Sequence, residues 1–97
     1  MVVISNKAIR LFGEKYKNGK EAVGNWYYIM QQLDCANYHE LKTVFNSVDA
    51  IGNDLYVFNI KGNSYRIITR IIFKTRTVFI KFIGTHTQYE KINIKEL

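Results

Sequence analysis

The chain has 97 residues, 47% hydrophobic and 14% aromatic, which suits one packed domain and argues against disorder. Its net charge is +6, and no apolar run approaches the roughly 20 residues that a membrane span needs. Cys35, alone of its kind, can form neither an internal disulfide nor a metal cluster, and Met1–Ile4 is too short for a signal-peptide core, so a cytoplasmic protein without metal or cofactor is expected.

In chain order, Met1–Ile4 reads as a short first strand. Ser5 can cap a helix over 6–17, where Ala8, Ile9, Phe12 and Tyr16 share a face. Asn18-Gly19 should break it. A second helix is predicted over 20–33 from the spacing of Ala22, Trp26, Ile29 and Leu33, with Trp26 as a core anchor. Asn37, with Glu40 three residues on, opens a third short helix whose buried stripe is Tyr38, Leu41 and Phe45. Residues 46–53 read as a loop. The period then changes to two: strands over 55–60, 64–73 and 77–83, joined by turns at Lys61-Gly62-Asn63 and Lys74-Thr75-Arg76. The tail over 85–94 reads as a helical turn and an extended end. The expected class is α+β, with N-terminal helices on one face of a small antiparallel meander and the first strand available to join its edge.

The charge is unevenly spread. Residues 1–54 carry six basic and six acidic side chains, whereas 55–97 carry eight basic against two acidic. This excess points to a polyanionic partner, although a soluble domain of basic pI also satisfies it. On the long strand, Arg66 and Arg70 share a face with Ser64, Ile68 and Ile72. Two guanidinium forks there can grip successive phosphates, or can simply form a solvated pair. His86, after Gly84-Thr85 at the end of the last strand, has Tyr89 one helical turn away. It can act as acid or base, or be structural; the other histidine, His39, falls in the third helix.

Two segments carry a family resemblance. Val57-Phe58-Asn59-Ile60-Lys61-Gly62-Asn63-Ser64-Tyr65-Arg66-Ile67-Ile68 resembles the central strand-turn-strand signature of HigB toxins, and Gly84-Thr85-His86-Thr87-Gln88-Tyr89-Glu90-Lys91-Ile92 resembles their C-terminal segment. Leu41-Lys42 with Phe45 and Asp49, and the Val-Ile-Ser opening, are similar too. The resemblance runs over nearly the whole chain as one RelE-like domain.

It implies a ribonuclease of the RelE superfamily, paired with a helix-turn-helix antitoxin and cleaving mRNA on the translating ribosome. The chemistry it implies is attack of a ribose 2′-hydroxyl on the adjacent phosphate, with no metal. Carried onto this chain, Arg66 holds the phosphate, His86 is general acid or base, and Tyr89 stacks on a base or orients the phosphate. Arg70, Lys61, Asn63, Asn59 and Lys81 become RNA contacts. Some RelE relatives carry lysines where this chain has Val57 and Asn59, which leaves the general base unassigned. The alternative is a non-catalytic RNA-binding or ribosome-associated module that offers Tyr56, Phe58, Tyr65 and Phe79 as a stacking surface.

Overall fold

Helical and alternating segments separate into layers, as the change of period predicts. The computed structural model describes residues 1–97. Its elements are β1 (Val2–Ile4), α1 (Asn6–Lys15), α2 (Lys17–Gln32), α3 (Tyr38–Val44), β2 (Asp49–Gly52), β3 (Leu55–Ile60), β4 (Tyr65–Ile72), β5 (Thr77–Thr85) and α4 (His86–Glu90). Single 3-10 turns lie at Phe73–Thr75 and Ile94–Glu96. The class is α+β.

The five strands form one sheet in the order β1-β5-β4-β3-β2. Strands β2 to β5 are an antiparallel meander, and β1 joins the far edge parallel to β5, with Val2 opposite Thr77 and Ile4 opposite Phe79. The sheet is therefore mixed. The expected loop over 46–53 contains β2, which pairs Asp49 with Val57. Its hairpin to β3 turns through Asn53 and Asp54, both in the left-handed region at φ 54° and 61°, a conformation these two residue types tolerate well. Asp49-Ala50-Ile51-Gly52 has no apolar alternation, so its strand character comes from pairing with β3 rather than from its own pattern.

The helices shift in one respect from expectation. The break falls at Tyr16 (φ −118°, ψ 82°), and Gly19 lies inside α2. A Cβ on Gly19 would stand 2.7 Å from Tyr65 Cε2 and 3.0 Å from Phe12 Cζ, so this glycine lets helix and sheet approach rather than ending a helix. The buried face of α2 is Gly19, Val23, Trp26 and Met30; Ile29, expected inside, is 37% exposed.

The main core joins Phe12, Val23, Trp26, Met30 and Leu41 to Phe58, Ile60, Tyr65, Ile67, Ile71 and Val78 of the sheet. Trp26 meets Phe58 edge to face at 5.2 Å. Each such buried side chain contributes about 1.5–3 kcal/mol. The opposite sheet face has a second, smaller core: Leu55, Val57 and Ile68 lie under Phe82, Tyr89, Ile92, Ile94 and Leu97. Both faces of β4 are thus covered, which accounts for the adjacent buried isoleucines Ile67 and Ile68.

Candidate active site

The second face is where the chemistry gathers. In the sheet register Arg66 stands between Asn59 on β3 and Gly84 on β5. A Cβ on Gly84 would collide with Gln88 Oε1 and lie 2.7 Å from Phe82 Cζ, so the glycine lets α4 fold down beside Arg66. A reciprocal capping box then fixes α4: Gln88 N donates to Thr85 Oγ1 (3.2 Å) and Thr85 N to Gln88 Oε1 (2.9 Å). Gln88 Nε2 donates to the Tyr16 hydroxyl at 3.0 Å, tying α4 to the end of α1. The His86 amide donates to the Ser64 carbonyl at 3.3 Å.

This anchoring sets Tyr89 over Arg66, with the guanidinium carbon 4.5 Å from the ring centroid. The contact is a cation–π pair, and Phe82 borders the ring at 6.5 Å. No carboxylate pairs with Arg66. Its Nε and the Asn59 Oδ1 are both buried without a hydrogen-bond partner. A buried polar atom left unsatisfied costs about 1–3 kcal/mol, more on a charged group, so this corner of the sheet is held at some cost to stability. His86 opens the same helix one turn before Tyr89; its Nδ1 lies 3.5 Å from Glu90 Oε1, and its side chain is 42% exposed. Arg66, Asn59, His86 and Tyr89 thus supply a cation, an acceptor, an imidazole and an aromatic ring around one end of the sheet.

The remaining candidates lie elsewhere. Arg70 is four residues along β4 from Arg66, about 13 Å by strand rise. That spacing is too wide for successive phosphates. Its Nη2 also donates to the main-chain oxygen of Leu97 at 3.0 Å and its Nε to the Asn53 carbonyl at 3.3 Å, so Arg70 fastens the tail to the sheet. Lys61, at φ 52° in the β3–β4 turn, donates from Nζ to the Asn18 carbonyl at 2.9 Å, toward α2. Asn63 is exposed in that turn, and Lys81 is exposed where the β4–β5 register shifts.

The stacking surface of the alternative reading is mostly absent. Phe58 and Tyr65 are buried under the helices, and Tyr56 packs between the Tyr38 and Phe73 rings. Only Phe79 of the four is exposed, at 36%. Sequence reading passed over Gly84 and Gln88 as site-shaping residues, although Thr85-x-x-Gln88 is a capping-box signature. No helix is long and apolar enough to cross a membrane.

The sequence pattern of the HigB toxins, the RelE-like toxic component of a toxin–antitoxin system, matches residues 19–92. The chain belongs to the HigB family. The matched stretch runs from α2 through α4 and contains every candidate site residue, leaving out β1 and α1. Similar proteins include the mRNA interferase HigB of Escherichia coli O6:H1, 30% identical over 94 residues that cover 95% of this chain and 91% of that protein. The mRNA interferase toxin HigB of Escherichia coli K12 is 30% identical over 95 residues, covering 93% and 88%. Membership of the HigB family makes the chain the toxin of a toxin–antitoxin pair, with an antitoxin as partner.

Proposed function

We propose that this HigB-family toxin is an endoribonuclease that cuts mRNA at the site formed by Arg66, His86 and Tyr89. The observation that carries the reading is the Arg66 guanidinium, held against the Tyr89 ring with no carboxylate partner and its Nε unpaired, next in register to Asn59. The names of the Escherichia coli relatives give the substrate class. In the proposed step the 2′-oxygen attacks the adjacent phosphorus as the P–O5′ bond breaks. The 2′-hydroxyl proton passes to a base and another proton reaches the leaving 5′-oxygen, leaving a 2′,3′-cyclic phosphate and a 5′-hydroxyl. Arg66 stabilises the charge of the phosphorane, so the step needs no metal. His86 acts as the acid or base, Asn59 contributes a polar side chain beside Arg66, and Tyr89 orients the phosphate or stacks on a base.

Lys61, Asn63, Arg70 and Lys81 contribute positive or polar surface around the path of the RNA rather than direct grip on the scissile phosphate. One cation and one imidazole make a sparse catalytic set, which supports a reaction on the translating ribosome in the cytoplasm, with the ribosome supplying part of the positioning. A helix-turn-helix protein fits as the antitoxin. Induced expression in a bacterial host, with mRNA ends mapped, tests the reading: growth arrest with cuts inside translated messages is expected. Arrest without new mRNA ends from a folded protein would contradict it.

A further inference from the structure

One charged side chain of α4 has no part in the mechanism above. Glu90 closes the helix, and its Oε1 lies 3.5 Å from His86 Nδ1 at the (i, i+4) spacing. Helix stability does not explain the pair. An acidic group at the C-terminal end and an imidazole at the N-terminal end run against the helix dipole, the less favourable orientation for such pairs. Glu90 is also well exposed, at 63%, so it fills no core position. The backbone of His86, by contrast, is held at its own amide by Ser64 and at the next turn by the Thr85–Gln88 capping box. What is left undetermined by that scaffold is the rotation and tautomer of the ring.

We infer that Glu90 is a positioning residue for His86: its carboxylate accepts the Nδ1–H and so leaves Nε2 as the free lone pair, the atom that takes the proton of the 2′-hydroxyl. The imidazole of a free histidine prefers its proton on Nε2, which would put the lone pair on the wrong side of the ring. A carboxylate standing 3.5 Å from Nδ1 favours the proton there, the same logic by which a carboxylate orients a catalytic histidine elsewhere. The inference rests on the nuclease reading and gives the unassigned base an atom: Nε2 of His86, with Glu90 behind it. In the step itself the proton moves from the 2′-oxygen to Nε2 as the oxygen–phosphorus bond forms, and the resulting imidazolium is stabilised by the Glu90 carboxylate.

The test reads the tautomer and the chemistry separately. Nitrogen-15 spectra of the neutral His86 ring in the intact protein should show the proton on Nδ1, and Glu90→Ala should move it toward Nε2. In single-turnover cleavage of a defined message bound to ribosomes, Glu90→Ala should slow the chemical step about 10- to 100-fold with affinity for the programmed ribosome unchanged. Glu90→Gln, which keeps an acceptor oxygen, should recover part of that loss. An Nε2–H tautomer in the wild type, or a Glu90→Ala variant that cleaves at the wild-type rate, would overturn the assignment. A wild-type protein that cuts no message would instead remove the nuclease reading, and the spectra would still decide whether Glu90 sets the tautomer.

Discussion

Arg66 and Tyr89 lie one over the other, guanidinium carbon 4.5 Å from ring centroid, although one is mid-strand and the other in the C-terminal helix. The pairing fixes a permanent cation while its Nε goes without a partner. Such an arrangement favours a ligand at some expense of stability. Arg66→Met keeps much of the packing on the Tyr89 ring and removes the orphaned donor. Its stability in urea unfolding should equal that of the wild type or exceed it by about 1 kcal/mol. Its cleavage rate should fall about 10²- to 10³-fold, the loss typical of removing one donor to a charged transition state.

Gly84 is the position that lets α4 lie down on the sheet. Gly84→Ala places a methyl 2.7 Å from Phe82 Cζ and against the Gln88 side chain. The expected cost is about 1–3 kcal/mol of stability, read by thermal or urea unfolding. Because the displaced element carries His86 and Tyr89, cleavage should fall further than the stability loss accounts for under conditions where the variant remains folded.

Arg70 has a mechanical role on this geometry. Arg70→Ala removes the hydrogen bonds to the main-chain oxygens of Leu97 and Asn53. Each should be worth about 0.5–1.5 kcal/mol at most, less where water reaches it. Hydrogen exchange should quicken in the tail over 92–97 while the amides of α2 keep their protection. Cleavage should drop less than in Arg66→Met. A loss equal to that of Arg66→Met would return Arg70 to the phosphate.

Alkaline pH should weaken the fold. Burial, with Glu40 nearby, raises the Cys35 thiol above its ordinary value of 9.0. Burial, with Asp54 nearby, raises the Tyr56 phenol above 10.0. Both groups are neutral in the folded chain at pH values where the unfolded chain has begun to lose its protons. The stability they confer is therefore complete below about pH 9 and declines as pH climbs through 9 to 10 and beyond. Urea midpoints compared at pH 7 and pH 10 should show the fall, and Cys35→Ala should reduce it.

The helices, the meander and the His86–Tyr89 spacing were legible because each has a local signal: a 3.6 period, a period of two, and an (i, i+3) pair. The Asp49–Gly52 strand was not, since it borrows its order from β3. Gly19 reads locally as a helix breaker, and only the Tyr65 ring lying against it reveals a close-packing glycine. The site was half legible. The strand pattern offered Arg66 and Arg70 alike and only the family resemblance favoured Arg66, whose pairing with Tyr89 joins residues 23 positions apart and depends on α4 folding back across β5. Arg70 looked equivalent to Arg66 by alternation. The difference between them lies in the tail, where the main-chain oxygen of Leu97 occupies the Arg70 fork, whereas Arg66 has only the Tyr89 ring.

The most direct test of the central claim is cleavage of a ribosome-bound message by the purified toxin, with the chemistry of the new ends determined. The wild type should yield 2′,3′-cyclic phosphate and 5′-hydroxyl ends, and Arg66→Ala and His86→Ala, both folded, should each lose most of the activity. Cleavage that persists at the wild-type rate in both variants, or ends bearing a 5′-phosphate, would contradict a site built on Arg66 and His86.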